Sequence, residues 1–389
     1  MEDQEIKSQD IEKFSCPNCG GNVTFEPGTS SMACPNCSSQ IEIPKLDESV
    51  EELNFDKYLA ETGTGEQMSI TAVTCKSCGA TSTLEPNIAS AHCPYCDTPL
   101  VVKDVVTEDI IQPKSILPFK ITKDEGISQF KRWRKKLWFA PNALKKASLN
   151  FDHFKGVYVP FWTYDTDTNT SYTGQRGDYY YTTESYTTVE NGKTVTRTRQ
   201  VRHTRWTFRS GHVYDNFDDV LVTATKSLPL KYLNKLEPWD LNNIETFNPS
   251  YLAGYITQKY QVDLKEGFEI AKGIMDVQIR KTICRDIGGN EQRIISKRTG
   301  YNNITFKHML LPVYISAYYF KQKLYRFLIN GRTGEVQGER PWSVIKIILF
   351  ILMLGAIGTG IYFLVDYLQD KKEAETLFMM FPRLTSWLF

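Results

Sequence analysis

Between Asp97 and Phe389 the sequence holds a single cysteine, Cys284, although the chain has nine. One thiol builds no disulfide framework, so whatever the cysteines do is done by the front of the chain. Catalytic signatures are missing as well. There is no HExxH, no GxSxG and no Cys and His pair at catalytic spacing. "NGKTV" contains GKT without the upstream glycine of a phosphate-binding loop, and "DIGGN", residues 286–290, is a turn outside the strand–helix context of a dinucleotide site. These absences predict a protein that is not an enzyme. Excess charge of one sign is lacking too: the formal net charge is +1, which gives no bulk attraction for a polyanion. The opening "MEDQEIKSQD" is acidic and polar, without an apolar h-region, so no secretory signal is expected.

What is present is unevenly spread. Residues 1–112 carry 6 Lys and Arg against 19 Asp and Glu, and the remainder 40 against 26. The chain is an acidic front end joined to a basic body. Apolar content of 41% and aromatic content of 13% predict a folded chain, long enough for more than one domain.

Eight cysteines lie in two matched sets: Cys16, Cys19, Cys34 and Cys37, then Cys75, Cys78, Cys93 and Cys96, each 59 residues after its counterpart. Two CxxC turns facing each other aim four thiolates at one point, the shell of a structural Zn²⁺. Gly20 and Gly79 follow the first pair of each set, where the turn needs positive φ. A redox pair would not explain two matched pairs in tandem, and four thiolates leave no open position for catalysis. Two tandem four-cysteine zinc ribbons with two structural Zn²⁺ are expected, at 12–44 and 71–103, joined by an acidic linker over 45–70 that holds one short helix. Thiolate sites imply a reducing, cytosolic compartment. Their acidic surroundings lack the Lys and Arg that would neutralise phosphates, which disfavours nucleic acid and favours protein contact or folding support.

The body, 113–341, reads as α+β. "TKDEGISQFKRWRKKLWFA" is an amphipathic helix, with Ile127, Phe130, Trp133 and Leu137 on one side and a basic flank of Lys131, Arg132, Arg134, Lys135 and Lys136. That flank is read either as a solvated face or as contact with an anionic membrane surface. "FKGVYVPFWTY" and "FKHMLLPVYISAYYF" are strands that share F-K-x4-P, with Pro160 matching Pro312. Each follows a helix that opens with Glu-Gly, at 125–126 and at 266–267, which points to a duplicated helix–strand unit. Between them, Asn191-Gly192 signals a hairpin. A two-residue turn there makes facing positions sum to 383, so Glu190 meets Lys193, Glu184 meets Arg199, Tyr186 meets Arg197 and Asp178 meets Arg205. A projecting arm over 178–206 is expected, with strands of about 13 residues reaching roughly 40 Å. "LINGRTGEVQGERP" reads as a second tight hairpin. His203 and His212 have no partner at metal spacing, and Cys284 is expected to be a buried thiol on a helix.

Ile347 to Val365 is free of charge, long enough to cross a bilayer as a helix. With Trp342 before it and Tyr362 and Tyr367 at its far end, a transmembrane helix is expected over 344–368, followed by a short apolar tail, 369–389. Basic residues flank both ends, so the cytosolic cysteines decide the orientation: body inside.

The double ribbon, with "GVYVPFWTYD", "YTGQRGDYYY", "FDDVLVTATKSL", "LEPWDL", "YLAGY", "DIGGNEQRI", "FKHMLLPVY" and "INGRTGEVQGERPWS", resembles a bacterial family of TFIIB-type zinc-ribbon membrane proteins over roughly residues 12–365. Some members are labelled primosomal replication helicases, a role for which this sequence lacks the Walker motifs. The resemblance implies a single-pass protein of the bacterial cytoplasmic membrane that recruits soluble partners, with PspA-like or SPFH-like membrane-stress proteins as the implied ones. Together the readings predict a membrane-anchored, non-enzymatic adaptor contacting proteins and the lipid bilayer. The runner-up is a membrane-tethered nucleic-acid-binding protein of replication or transcription.

Overall fold

A strand that is apolar on both faces needs cover on both sides, and the run from Val157 to Tyr164 obtains it. A computed structural model describes residues 14–44, 52–60, 67–77, 79–83, 90–95, 98–101, 105–146, 151, 154–190, 193–321 and 323–384. They form two units, one drawn from Met1–Phe130 with Asn150–Gly338, the other from Lys131–Leu149 with Glu339–Phe389.

In chain order the elements begin with β1 (Thr24–Phe25), β2 (Ser31–Ala33), β3 (Gln40–Glu42), β4 (Leu53–Asn54) and α1 (Phe55–Ala60). Strands β5 (Gln67–Thr74), β6 (Thr81–Thr83), β7 (Ser90–His92), β8 (Pro99–Val101), β9 (Val105–Ile111) and β10 (Ser115–Ile116) follow. Helices α2 (Lys123–Lys136) and α3 (Asn142–Lys146) precede two very long strands, β11 (Lys155–Glu190) and β12 (Lys193–Thr223). After the one-turn α4 (Leu230–Leu233) come β13 (Glu245–Thr246), β14 (Ile256–Thr257), α5 (Leu264–Ile287), β15 (Glu291–Phe320), β16 (Lys323–Asn330), β17 (Val336–Gly338) and α6 (Val344–Leu384). The protein is α+β.

Among the described residues, nine strands form the main sheet, with β11 antiparallel between β12 and β15. Side-chain alternation assigns two faces. Val157, Val159 and Phe161 of β11 pair with Val313, Leu311 and Met309 of β15, and all six line one core with Leu228, Leu236 and Trp239. Trp162 and Tyr164 point the other way and join Phe306, Phe268, Met275 and Ile279 under α5. The two F-K-x4-P segments lie side by side, paired symmetrically about Val159 and Leu311: Tyr158 faces Pro312 and Pro160 faces Leu310. A proline in a central strand cannot donate, and here each accepts instead, Pro160 O from Ala224 N and Pro312 O from Gly331 N.

The Glu-Gly pairs have one physical use in both helices. Thr122 and Glu125 form a reciprocal capping box at the start of α2, and the Asp263 carboxylate caps α5 by accepting from Glu266 N at 2.7 Å. The glycine one turn in lets each helix approach an aromatic strand. A Cβ on Gly126 would stand 3.0 Å from the Phe154 ring, and one on Gly267 would collide with the Tyr164 hydroxyl.

The hairpin register is the one the turn requires. Glu190 pairs with Lys193, Glu184 with Arg199 and Asp178 with Arg205, and facing positions sum to 383 as far as Thr166 and Phe217. Asn191-Gly192 itself lies outside the described residues. The strands are longer than expected, 36 and 31 residues. The expected arm is only their outer part, beyond Gly177 and Glu291 where pairing with β15 stops. Sequence polarity after Asp165 hides the continuation, because the buried face there is threonine. Thr166 donates to Asn302 O, Thr168 to Asp215 O, and Thr170 bonds Thr299, so each buried hydroxyl is satisfied. Cys284 lies on α5 but is half-buried rather than buried, since the helix's core stripe runs through Ile279, Ile283 and Ile287.

In the second unit, Val344–Leu368 of α6 is strongly apolar and none of its residues is buried. It is long and apolar enough to cross a membrane.

Candidate metal centre

The first cysteine set closes into one cluster. The sulfurs of Cys16, Cys19, Cys34 and Cys37 all lie within 4.8 Å of one another, with Cys16 to Cys37 and Cys19 to Cys34 each at 3.5 Å. A tetrahedral thiolate shell with metal–sulfur bonds near 2.3 Å has sulfur edges of about 3.8 Å, so the four fit one ion. The turns that aim them are built from backbone hydrogen bonds. Cys16 N donates to Gly21 O and Gly20 N to Cys16 O, with Gly20 at φ +71°; Cys34 N donates to Ser39 O and Ser38 N to Cys34 O. Without a cation the crowded sulfurs cannot share one protonation state. The Ser39 hydroxyl, 3.1 Å away, and its N–H hold the Cys37 thiol down at about 6. Although the Gly21 N–H works against it, the Cys37 and Cys34 sulfurs push Cys19 up to about 12.

The same backbone pattern recurs 59 residues on. Cys75 N donates to Ala80 O, Gly79 N to Cys75 O with Gly79 at φ +71°, and Cys93 N to Thr98 O. β7 pairs with β8 as β2 pairs with β3, Ala91 facing Leu100 where Met32 faces Ile41. Cys75 and Cys93 stand buried at 1% and 3% exposure. Cys78 and Cys96 lie outside the described residues, so the cluster brought together by the structure is the first.

Both segments are packed into the sheet's unit. Phe25 of the first sits edge-on to Tyr251 at 5.2 Å, its N–H donating to Ala253 O, and Gly28 N donates to Phe119 O. Cys75, Ala80, Cys93, Tyr95 and Leu100 of the second belong to the same core as Val157, Phe161 and Trp239. The stretch between them is a strap more than a linker. β4 pairs with β15, the expected short helix is α1, and Phe55 packs against Phe268, Tyr164 and Phe306.

Sequence reasoning missed a polar cluster beside that strap. Carboxylate oxygens of Asp165, Asp218 and Asp219 lie within 4.8 Å of one another, at a bulge where the pairing of β11 with both neighbours shifts. Lys307, nearly buried, reaches Asp219 at 2.8 Å and Glu52 at 3.1 Å. Although burial opposes its charge, those two acids raise its affinity for a proton. Asp165 accepts from Asp219 N at 2.5 Å and from Thr305 Oγ1 at 3.1 Å. Desolvation lifts its carboxyl to about 6, the neighbouring Glu52 adding to the rise. The signals were "TYDTD" and "NFDDV", whose acids a bulge brings together. Fully buried His308 donates from Nδ1 to Ile111 O at 2.7 Å, and burial holds it near 4, hence neutral. His203 and His212 bond Thr182 and Ser171 on the ribbon and gather no further metal-ligating side chain among the described residues.

Compared with known proteins, the chain is similar to "Uncharacterized protein YdjG" of Bacillus subtilis (strain 168), 26% identical over 341 residues that cover 86% of this chain and 91% of that protein. No family model matches the chain. No solved structure matches it.

Proposed function

We propose that this protein is a membrane-anchored, non-enzymatic adaptor whose cytosolic body presents a protein-binding ribbon and is stapled by two structural Zn²⁺ ions. One ion is held by Cys16, Cys19, Cys34 and Cys37, the other by Cys75, Cys78, Cys93 and Cys96. The recurring turn hydrogen bonds support the second site. The apolar stretch of α6 supports a single pass through the bacterial cytoplasmic membrane. Thiolate sites that need a reducing compartment favour the body on the cytosolic side.

The observation that carries the adaptor reading is the arm beyond Gly177. It is a two-stranded ribbon with Tyr180, Tyr181, Tyr186 and Val189 exposed and with Arg199 held by Glu184 at 3.2 Å. Aromatic residues and arginine on a projecting surface are the composition of protein–protein hot spots. Its acids offset part of the positive charge that a nucleic-acid site would require.

The partner class, PspA-like or SPFH-like membrane-stress proteins, rests on the family resemblance. Mild-detergent affinity purification from native membranes, divided between mass spectrometry and nucleic-acid quantification, tests it. Stoichiometric recovery of such proteins, lost when residues 179–204 are replaced by a short turn, is the expected result. Co-purified DNA or RNA without a stoichiometric protein partner would sink the reading and promote a tethered nucleic-acid binder.

A further inference from the structure

The second unit has a feature that anchoring alone does not require. From Lys131 to Leu149 there is no Asp or Glu, and Lys131, Arg132, Lys135 and Lys136 stand exposed on the last turns of α2. At 100° per residue these four fall within one flank of about 140°, opposite the flank of Phe130 and Trp133. The segment that follows is fastened to the entry of α6. Lys346, in the first turn of α6, donates to Trp138 O, Ala140 O and the Asn142 side chain at 3.2, 2.8 and 2.7 Å. Ser343 N donates to Phe139 O at 2.8 Å. The Phe139 ring lies 6.2 Å from Trp342 and meets Phe350 edge-on at 5.3 Å.

Phe350 is six residues into α6, about 9 Å along the helix axis. The loop therefore runs beside the first turns of the apolar span, at the depth where a bilayer has its headgroups. Two tryptophans at that level are left open, Trp138 at 69% and Trp342 at 55% exposure, the latter with the Arg340 guanidinium 4.5 Å over its ring. Amphipathic rings belong at that interface, and clustered Lys and Arg immediately beside a span meet the negative surface of the leaflet.

We infer that this juxtamembrane collar is a docking surface for anionic phospholipid headgroups. The exposed cations of α2 meet the lipid phosphates, and Trp138 and Trp342 lie among the glycerol and upper acyl groups. The inference rests on the reading of α6 as a membrane span. It adds a lipid preference that a purely mechanical anchor would lack. Charge complementarity selects the occupant: the flank holds cations without an acid in the same stretch, and the surface continuous with the span is the lipid headgroup layer.

The test uses the full chain reconstituted in phosphatidylcholine bilayers, with trace spin-labelled phosphatidylglycerol or phosphatidylcholine. The share of motionally restricted label reports lipid held at the protein surface. We expect a restricted share severalfold larger for phosphatidylglycerol at low salt, falling towards parity in about 0.5 M NaCl, where the Debye length shrinks to a few Å. The same loss is expected in the Lys131→Gln, Arg132→Gln, Lys135→Gln, Lys136→Gln variant. The salt series on the unaltered chain stands even where that variant folds poorly. Selectivity that survives both salt and substitution overturns the inference. Restricted lipid without headgroup selectivity overturns it too, while leaving α6 as a span. No restricted lipid of either kind overturns the span and the inference together.

Discussion

The two cysteine segments share a spacing and a set of turn hydrogen bonds, yet they sit in different surroundings. In the first, Cys16 and Cys34 are buried at 2% exposure each while Cys19 and Cys37 face solvent, and the attachment runs through Phe25 and Gly28. In the second, Cys75 and Cys93 are part of the core that covers one face of the main sheet, with Phe161, Leu228 and Trp239. The same cysteine spacing thus recurs once in a segment attached through Phe25 and Gly28 and once in a segment built into the sheet's core. On the proposed two-zinc reading, metal in the second segment should be inseparable from the fold of the body. Metal in the first should be separable.

The largest effect expected is therefore from Cys93→Ser. It breaks the proposed second metal shell and leaves a hydroxyl inside an apolar core, for a loss of at least about 3 kcal/mol. Urea unfolding followed by near-ultraviolet circular dichroism, which reports the packed aromatics around Trp162 and Phe306, would register the loss as a cooperative transition at much lower urea. Cys37→Ser should lower the zinc content by one ion while moving that transition by less than about 1 kcal/mol, because the cluster it opens can unfold locally. Equal shifts for the two variants would erase the distinction between the segments. Chelation supplies the kinetic version. A strong chelator followed with a zinc-sensitive dye should remove one ion early, with the aromatic spectrum unchanged, and the second only as that spectrum collapses. A single phase would contradict the comparison.

A smaller effect probes how the first segment is held. Gly254 has φ +80°, and a Cβ there would fall 2.7 Å from the Thr24 side chain. Gly254→Ala should cost about 1–3 kcal/mol through backbone strain and overpacking. Its signature is faster proteolytic cleavage within residues 26–44 while the body stays intact. Uniform loss of protection across the chain would show that the first segment, too, belongs to the core.

Some of this was legible in the sequence. Cysteine spacing is local, and so is the Asn-Gly turn, whose two-residue length set the register from Glu190 to Asp178. The apolar span of α6 is equally local. What surrounds the second segment was not legible, because Phe161, Leu228 and Trp239 are distant in sequence and carry no mark of what they will cover. Strand length was hidden for a different reason. Thr166, Thr168 and Thr170 bury hydroxyls satisfied by neighbouring strands, so the hydrophobic alternation stops while the strand continues. Asp165 escaped notice because only a bulge gathers it with Asp218 and Asp219.

That acid offers the finest test of the strap joining the two segments. Burial and the nearby Glu52 raise Asp165 to about 6, above the roughly 3.9 of an unfolded chain. The folded state then holds its proton more tightly than the unfolded state does. Its contribution to stability is fully present below the unfolded value and is lost as pH rises from about 4 through 6. Glu52 is shifted the other way: although burial opposes the change, its bonds with Asp165 and Lys307 keep it ionised. Its contribution holds above the unfolded value and fades only at lower pH, so between pH 5 and 7 Asp165 dominates. Asp165→Asn removes the titration while leaving an oxygen that can accept from Asp219 N. We expect the variant to gain stability relative to the parent at pH 7.5 and to lose that advantage by pH 5, in melts followed at constant ionic strength. The difference should be small, because the site is only half withdrawn from solvent. An advantage that does not change with pH would mean that the strap is held by Phe55 and the β4 pairing alone, with the carboxylates playing no part.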